Sequence, residues 1–311
     1  MSANTFKNYM TQWNLFRCWA TAKCVQCLPA QAAQVAAYLA ERTELHGHKP
    51  ATLRVAAAAI AFAHRSAGCE DPCSSDEVKR TLKAAARKSG RAQKQAVALT
   101  AEALGIIRTA ACRPRPGRGG RLESPGKAKA RGSFDIALIS VMRDAMLRVS
   151  EAAALKWGDI HTEPDGTGRL LIRRSKTDPE GRGAVAFVSA EAMAALSIIK
   201  EARSGSDDVF ALSPNQISRR IKQAAQAAGL GEGFSGHSPR VGMARDLVRA
   251  GIELPALMHA GRWRSPAMPA HYARNEIAGN NAVARFYGTP AGHLNAATQS
   301  DAAQREIRRH G

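Results

Sequence analysis

The sequence predicts a mainly α-helical protein of 311 residues that carries one small antiparallel β-sheet. Apolar residues recur at helical spacing through most of the chain, and Pro, Gly or Ser marks the breaks between the repeats. Between residues 157 and 189 the period changes to that of strands, in the segments WGDIH, RLLIRR and AVAFVS. The turn-forming segments PDGTG and SKTDPEGRG separate them, which predicts a three-stranded sheet within a helical domain.

The N-terminal part of the chain is expected to form four helices, at about 5–20, 30–43, 50–66 and 75–89. Pro29 and Pro50 stand where the second and third begin, because proline suits the first turn of a helix. Residues 90–99, GRAQKQAVAL, have the composition of a linker. The length of the chain also favours two domains. We therefore predict a helical domain at 1–95, a second domain at 96–288 and a flexible tail at 289–311.

The second domain is expected to surround its sheet with helices. Thr100 caps the first of them. Residues 113–132 are rich in Gly, Pro and basic side chains and have little apolar surface to bury, so they are predicted to form a mobile loop. Further helices are expected at 134–155, 190–202, 214–228, 238–250, 253–259 and 276–287.

The charge of the chain favours a polyanionic partner. It has 45 Lys and Arg against 26 Asp and Glu, a formal net charge of +19. Nucleic acid is the commonest such partner, because each neutralised phosphate releases counterions. The fourth helix concentrates basic residues on one face, which is either a solvated surface or, as we favour, a phosphate-contacting one. These candidate DNA-binding residues are Lys79, Arg80, Lys83, Arg87 and Lys88.

Membrane, secretory and metal-binding classes are disfavoured by the sequence. It has no apolar run long enough to cross a membrane, and its first residues lack the pattern of a signal peptide, so a cytoplasmic location is expected. Cys24 and Cys27 form a CxxC, but the later pair, Cys69 and Cys73, is spaced by three residues and has no neighbouring histidine pair at ligand spacing. We therefore expect reduced thiols and no bound metal, with a zinc site as the less favoured alternative.

Separated segments of the second domain hold side chains suited to bind one phosphate. Arg148 ends an apolar helical pattern, and Glu151 follows it at a spacing that allows an ion pair. Lys176 lies at the tip between two predicted strands, and GHSPR places His237 and Arg240 on one side of a first helical turn. Each feature taken alone has a structural explanation: a salt bridge, a solvated lysine, or a chance HxxR.

The segment RWRSPAMPAHYAR, residues 262–274, places Tyr272 among basic side chains rather than apolar ones. Taken in order, Arg, Lys, HxxR, Trp and Tyr resemble the catalytic set of the tyrosine recombinases, the phage integrase family. The tryptophan, Trp263, stands where most members carry a second histidine. Arg240 precedes Tyr272 by 32 positions and Trp263 precedes it by 9, which suits the family pattern. The resemblance covers residues 5 to about 288 and is strongest after residue 230.

This resemblance implies a fold and an activity. The N-terminal domain would be a helical core-binding (SAM-like) domain, and the second would be a mixed α+β integrase catalytic domain. The enzyme would be a site-specific recombinase that cuts and rejoins DNA through a 3′-phosphotyrosyl intermediate, without ATP, metal or other cofactor. Its partner would be double-stranded DNA with an inverted-repeat site, on which it would assemble as a tetramer by donating its final helix to a neighbour.

The resemblance also implies a role for each site residue. Tyr272 would be the nucleophile, and Arg148 and Arg240 would bind the non-bridging phosphate oxygens. His237 would move protons on the tyrosine side, and Lys176 would protonate the leaving oxygen. Trp263 would pack under the phosphate and donate its indole N–H, and Glu151 would orient Arg148 without reacting.

Two prolines depart from the family pattern, and two other functions remain open. Pro239 is tolerable in a first helical turn, whereas Pro269 either starts the helix of Tyr272 or removes an early hydrogen bond from it. A type IB topoisomerase has a similar pocket and tyrosine, although the N-terminal helical domain favours recombination. A DNA-binding protein whose catalysis has lapsed is the other alternative, and the presence of every catalytic residue type argues against it.

Overall fold

The computed structural model describes residues 1, 3–89, 95–117, 119–175, 181–200, 204–272, 274, 283 and 286. Its contacts divide the chain into two compact units, Met1–Lys94 and Gln95–Gly311. Lys176 and the predicted tail 289–311 lie outside the described residues, as does the predicted helix 276–287 apart from Val283 and Phe286. The predicted fold class, mainly α with a three-stranded antiparallel sheet, is confirmed.

The first unit is a small helical domain. Its helices are α1 (Ala3–Ala22), α2 (Ala32–Glu44), α3 (Pro50–Ser66) and α4 (Asp76–Ser89), with one turn of 3-10 helix at Pro72–Ser74. Their apolar faces meet in one core, and its fully buried members include Phe16, Leu39, Leu53, Ile60 and Val78.

The opposite face of α4 carries the predicted basic surface. Lys79, Arg80, Lys83, Arg87 and Lys88 are all exposed. One acid pairs with this face, because Asp76 lies 3.6 Å from the Lys79 ammonium, but both side chains are solvated and the pair is weak. The face therefore keeps most of its positive charge available to a polyanion.

The second unit contains eight helices and the sheet among the described residues. The helices are α5 (Ala101–Ala111), α6 (Pro125–Asp144), α7 (Val149–Ala153), α8 (Ala190–Ile199), α9 (Pro214–Ala227), α10 (Ser238–Arg249), α11 (Leu254–Gly261) and α12 (Ala267–Tyr272). Strands β1 (Ile160–Thr162), β2 (Gly168–Ile172) and β3 (Ala184–Val188) pair antiparallel in that order, with Ile160 opposite Leu170 and Leu170 opposite Ala186. Buried Leu170 and Val188 join the sheet to the helical core.

The prediction of one mobile loop over residues 113–132 is wrong in its second half. Helix α6 begins at Pro125, with the Ser124 side chain as its N-cap, so residues 125–132 are helical. Arg131 accounts for the difference, because its guanidinium binds Glu123 at 2.8 Å and lies 3.7 Å from Asp135. The acidic partners Glu123 and Asp135 thus order a segment whose sequence shows mainly basic side chains.

The prediction of one helix over residues 134–155 is also wrong, because the chain turns between α6 and α7. Met146 adopts a left-handed conformation with φ of +46° inside this turn. Residues 157–159, predicted as part of a strand, form a turn of 3-10 helix before β1. The turn after α6 matters for the site, because it brings Arg148 to the start of a new helix.

Candidate active site

The turn between α6 and α7 presents Arg148 as the N-cap residue of α7. Its backbone N–H donates to Oε2 of Glu151 at 2.9 Å, and its Nη1 donates to Oε1 of the same carboxylate at 2.7 Å. The same Nη1 lies 2.7 Å from Oγ of Ser175. These bonds hold the guanidinium in one orientation.

Helix α10 supplies the second arginine. His237 is its N-cap residue, and Pro239 occupies its first turn, where a missing N–H breaks no helical hydrogen bond. Arg240 is only 1% exposed. Its two terminal nitrogens donate to the carbonyls of Met146 and Gly261, so it ties the turn after α6 to the end of α11.

Trp263 forms the floor beneath Arg240. The guanidinium carbon lies 4.6 Å from the centroid of the Trp263 ring, a cation–π arrangement. A side chain at Gly261 would come within 2.1 Å of that ring, so only glycine allows the tryptophan to pack here. The predicted packing role of Trp263 fits this placement.

Tyr272 lies in helix α12 and is 9% exposed. Pro269 lies within the first turn of α12. The N–H groups of a first turn have no acceptor within the helix, so the missing N–H of Pro269 removes no helical hydrogen bond. The backbone carbonyl of Tyr272 accepts a hydrogen bond from Gln95 at 3.2 Å. Pro269 therefore leaves the helix of Tyr272 intact.

His237 and Tyr272 face each other directly, with Nε2 of the histidine 2.6 Å from the phenol oxygen. Burial, reinforced by the charges of Arg240 and Arg148, lowers the pKa of His237 to about 4, so its ring is neutral near pH 7. Burial raises the pKa of Tyr272, while the same two arginines act in the opposite direction. A neutral imidazole beside a protonated phenol is the starting state that proton abstraction requires.

These residues line a cavity of about 600 Å³. Its walls include Arg148, His237, Arg240, Trp263 and Tyr272. Burial, followed by the like charges of Arg148 and Arg262, lowers the pKa of Arg240 to about 9. The cavity therefore has an excess of positive charge in a partly dry setting, which suits an anion such as a phosphodiester.

The structure brings together five of the six predicted catalytic residues, with Glu151 directly behind Arg148. The sixth, Lys176, is outside the described residues, although its neighbour Ser175 contacts Arg148. The basic residues of α4 belong to the other unit. Among the described residues, no group of His, Cys, Asp and Glu is arranged to hold a metal ion, and no helix is long and apolar enough to span a membrane.

Three contributors to the site had no role assigned from the sequence. Ser175 contacts Arg148, and Gln95 contacts Tyr272. Both are uncharged polar residues, and no sequence pattern predicts these contacts. Arg262 stands out as basic in the segment before Tyr272, but its partner Glu151 is 111 residues away along the chain. Its neighbour Gly261 and its own left-handed backbone are features that only the structure reveals.

Comparison with known proteins agrees with the geometry. Residues 125–278 match the model of the phage integrase family. The recombinase Cre of Escherichia phage P1 is 43% identical over 53 residues, which is 17% of this chain and only 16% of the phage protein. An integrase/recombinase XerD homolog of Selenomonas ruminantium is 24% identical over 308 residues, covering 91% of this chain and 85% of that protein.

Two solved structures share the fold. A lambda integrase dimer bound to a COC′ core site superposes with a TM-score of 0.56 at 19% identity, covering 88% of this chain and 89% of that one. The Tn1549 transposon integrase in complex with circular intermediate DNA superposes with a TM-score of 0.59 at 14% identity, covering 90% of this chain and 95% of that one. The family match identifies the class: residues 125–278 belong to the phage integrase family, the tyrosine recombinases. The family resemblance predicted from the sequence is thus confirmed.

Proposed function

We propose that this protein is a site-specific DNA recombinase that cuts and rejoins DNA through Tyr272. The observation that carries the proposal is the 2.6 Å approach of His237 to the phenol of Tyr272, beside the buried guanidinium of Arg240. A tyrosine kept only for packing needs neither a neutral histidine at its hydroxyl nor unbalanced positive charge beside it.

The reaction exchanges one phosphodiester bond for another. The phenol oxygen of Tyr272 attacks the scissile phosphorus as His237 takes its proton, and the negative phosphate beside the ring raises the proton affinity of the imidazole. The bond to the 5′-oxygen breaks, leaving a 3′-phosphotyrosyl link and a free 5′-hydroxyl. A 5′-hydroxyl from a second strand then attacks this link and releases Tyr272, which recovers the proton from His237.

The arginines stabilise the charge that develops during this exchange. Arg148 and Arg240 present planar guanidinium groups to the non-bridging oxygens, and Trp263 packs against the guanidinium of Arg240. Because the phosphodiester bond energy is retained in the tyrosyl link, no ATP is needed. The positive charge of the guanidinium groups supplies what a metal would otherwise supply, so we propose that no cofactor takes part.

The proposed function is tested with a duplex selected for tight binding from a random-sequence pool and nicked near its centre. We expect a covalent protein–DNA adduct that survives denaturing electrophoresis and forms equally well in excess chelator. Binding without an adduct would instead support a DNA-binding protein that has lost catalysis. Relaxation of supercoiled circles without exchange of partners would support a topoisomerase.

Lys176 is proposed as the general acid that protonates the leaving 5′-oxygen. We expect Lys176→Ala to cleave an ordinary phosphodiester slowly and to recover on a substrate with a 5′-thiolate leaving group, which needs no proton. The measurement is the single-turnover cleavage rate on the two substrates. Equal impairment on both would remove Lys176 from this role and leave it as a phosphate contact.

The DNA partner is proposed to be a duplex with an inverted-repeat site, contacted by the basic face of α4 and held by a tetramer on two synapsed sites. The lambda integrase, which shares this fold, forms a tetramer bound to a Holliday junction in its crystal structure. Its TM-score with this chain is 0.53 at 19% identity, so the assembly itself is inferred for this chain and not transferred with the fold.

The residues after Tyr272 are proposed to link neighbouring subunits. Val283 and Phe286 are 62% and 57% exposed, which leaves apolar surface for another chain to bury. We expect removal of residues 277–311 to preserve binding to a single half-site while abolishing cooperative loading of paired half-sites and strand exchange. Gel-shift titrations on one and two half-sites measure this. Cooperative loading and exchange by the truncated protein would show that the segment folds back on its own domain.

A further inference from the structure

The turn that carries Arg148 is held by a second arginine that does not face the cavity. Arg262 donates from Nη1 to the carbonyl of Ala145 at 2.9 Å and from Nη2 to the carbonyl of Met146 at 3.0 Å. The same Nη2 donates to Oε2 of Glu151 at 2.9 Å. One side chain thus reaches both the backbone of the turn and the carboxylate that orients Arg148.

The cost of this arrangement indicates that its contacts matter. Arg262 has φ of +54°, a left-handed conformation that glycine adopts far more readily than arginine. Its side chain is only 10% exposed, and burial lowers the pKa of its guanidinium despite the opposing charge of Glu151. A buried charge in a strained backbone position persists where its surroundings hold it strongly.

The turn needs such support, because its own backbone is strained as well. Met146 has φ of +46°, and its carbonyl accepts hydrogen bonds from both Arg240 and Arg262. Glu151 is 1% exposed at its side chain; its Oε1 accepts from the guanidinium of Arg148, and its Oε2 accepts from Arg262 and from the Arg148 backbone N–H. Without Arg262, Glu151 would keep one partner and the turn would lose two of its backbone anchors.

We propose that Arg262 is a positioning residue that fixes the phosphate-binding geometry of Arg148 and Arg240 through Glu151 and the Met146 carbonyl. This inference rests on the proposed function, since it assigns the cavity to a phosphate. Arg262 touches no reacting atom. Its role is to hold the two arginines before the substrate arrives, when a misplacement of about 1 Å costs on the order of 100-fold in rate.

The main test is Arg262→Gly, which removes the side chain while relieving the left-handed backbone. We expect single-turnover cleavage of the nicked duplex to slow at least about tenfold. DNA affinity should stay within about threefold of wild type, because the side chain is only 10% exposed and does not line the cavity. Guanidinium ion at millimolar concentration should restore much of the rate by entering the vacated space, and equal sodium chloride should not. Arg262→Lys should cleave at a rate between those of wild type and Arg262→Gly, because lysine keeps the positive charge but lacks the planar set of N–H donors of a guanidinium.

Arg249→Gln is the matched control, because it removes the same charge from an exposed position at the end of α10. It should cleave at the wild-type rate, with and without guanidinium. An Arg262→Gly rate within threefold of wild type overturns the proposal. A slow variant that neither guanidinium nor lysine improves also overturns it, since that pattern describes general structural damage.

Inorganic phosphate separates this inference from the proposed function. The wild-type protein should bind phosphate at least about tenfold more tightly than Arg262→Gly, measured by isothermal titration calorimetry without DNA. The two hypotheses can fail separately. If the wild-type protein forms no DNA adduct but Arg262→Gly still binds phosphate more weakly than wild type, the recombinase function is wrong and the positioning role is supported. Equal phosphate affinity in the two proteins, including none in either, contradicts the positioning role.

Discussion

Replacing Tyr272 by phenylalanine is expected to abolish covalent attachment to DNA, by roughly 10⁴-fold or more, while leaving DNA affinity unchanged. The substitution removes one oxygen from a side chain that is otherwise packed, with its ring 5.7 Å from Trp263 and 5.4 Å from His237. The packing survives and only the nucleophile is lost. Adduct formation on the nicked duplex and a gel-shift titration measure the two effects separately.

His237→Gln is a useful companion variant, because it retains Tyr272 but removes the group that accepts its proton. It should slow attachment without abolishing it, typically by about 10²- to 10⁴-fold. Two results for Tyr272→Phe would contradict this account. An adduct of normal yield would identify another residue as the nucleophile. Loss of DNA binding by Tyr272→Phe would show that Tyr272 helps to form the DNA-binding surface.

Replacing Arg240 by lysine is expected to lower the cleavage rate about 10²- to 10³-fold. Lysine keeps the positive charge, but it cannot donate to Met146 and Gly261 at once while also presenting a planar pair of N–H groups to a phosphate. Its ammonium also loses the delocalised charge that the guanidinium places 4.6 Å from the centroid of the Trp263 ring. Single-turnover cleavage at saturating protein measures the effect.

The thermal midpoint of Arg240→Lys should be measured alongside its rate, because Arg240 is 1% exposed and its loss leaves a buried carbonyl short of a donor. We expect the protein to remain folded, since Met146 still accepts from Arg262. Cleavage within threefold of wild type would show that Arg240 serves the fold and not the phosphate.

The sequence predicted the parts of the site that depend on local spacing. His237 and Arg240 stand three residues apart at a helix start, and the structure places both on the cavity. Strand alternation likewise predicted the sheet, because Leu170 and Ile172 of β2 face the core while Leu171 is exposed. Local periodicity contains this information because neighbours in sequence determine which side of an element is buried.

The turn after α6 could not be predicted in the same way. The segment around Met146 continues the apolar helical pattern without a glycine or proline to interrupt it. Its left-handed residue is held by carbonyl contacts from Arg240 and Arg262, which lie more than ninety residues further along the chain. Long-range hydrogen bonds of this kind override local helix propensity and leave no local pattern.

The start of α6 shows the same limit from the opposite side. Residues 125–132 have a composition typical of loops, yet Arg131 contacts Glu123 and Asp135, and Arg220 from α9 binds Asp135 at 2.8 Å. The Ser124 and Pro125 pair is a helix-start pattern that the density of basic residues obscured. The number of basic residues alone predicted a mobile segment, because their acidic partners could not be identified from the sequence. The ion pairs order this segment in the structure.

The covalent link itself provides the most direct test of this account. The adduct formed with the nicked duplex should be digested with nuclease and protease and examined by tandem mass spectrometry. We predict a peptide containing Tyr272 that carries a nucleotide through a 3′-phosphate on the phenol oxygen, with the same yield when chelator is present. A nucleotide attached to any other residue, or through a 5′-phosphate, would contradict the assignment of Tyr272 as the nucleophile of a tyrosine recombinase.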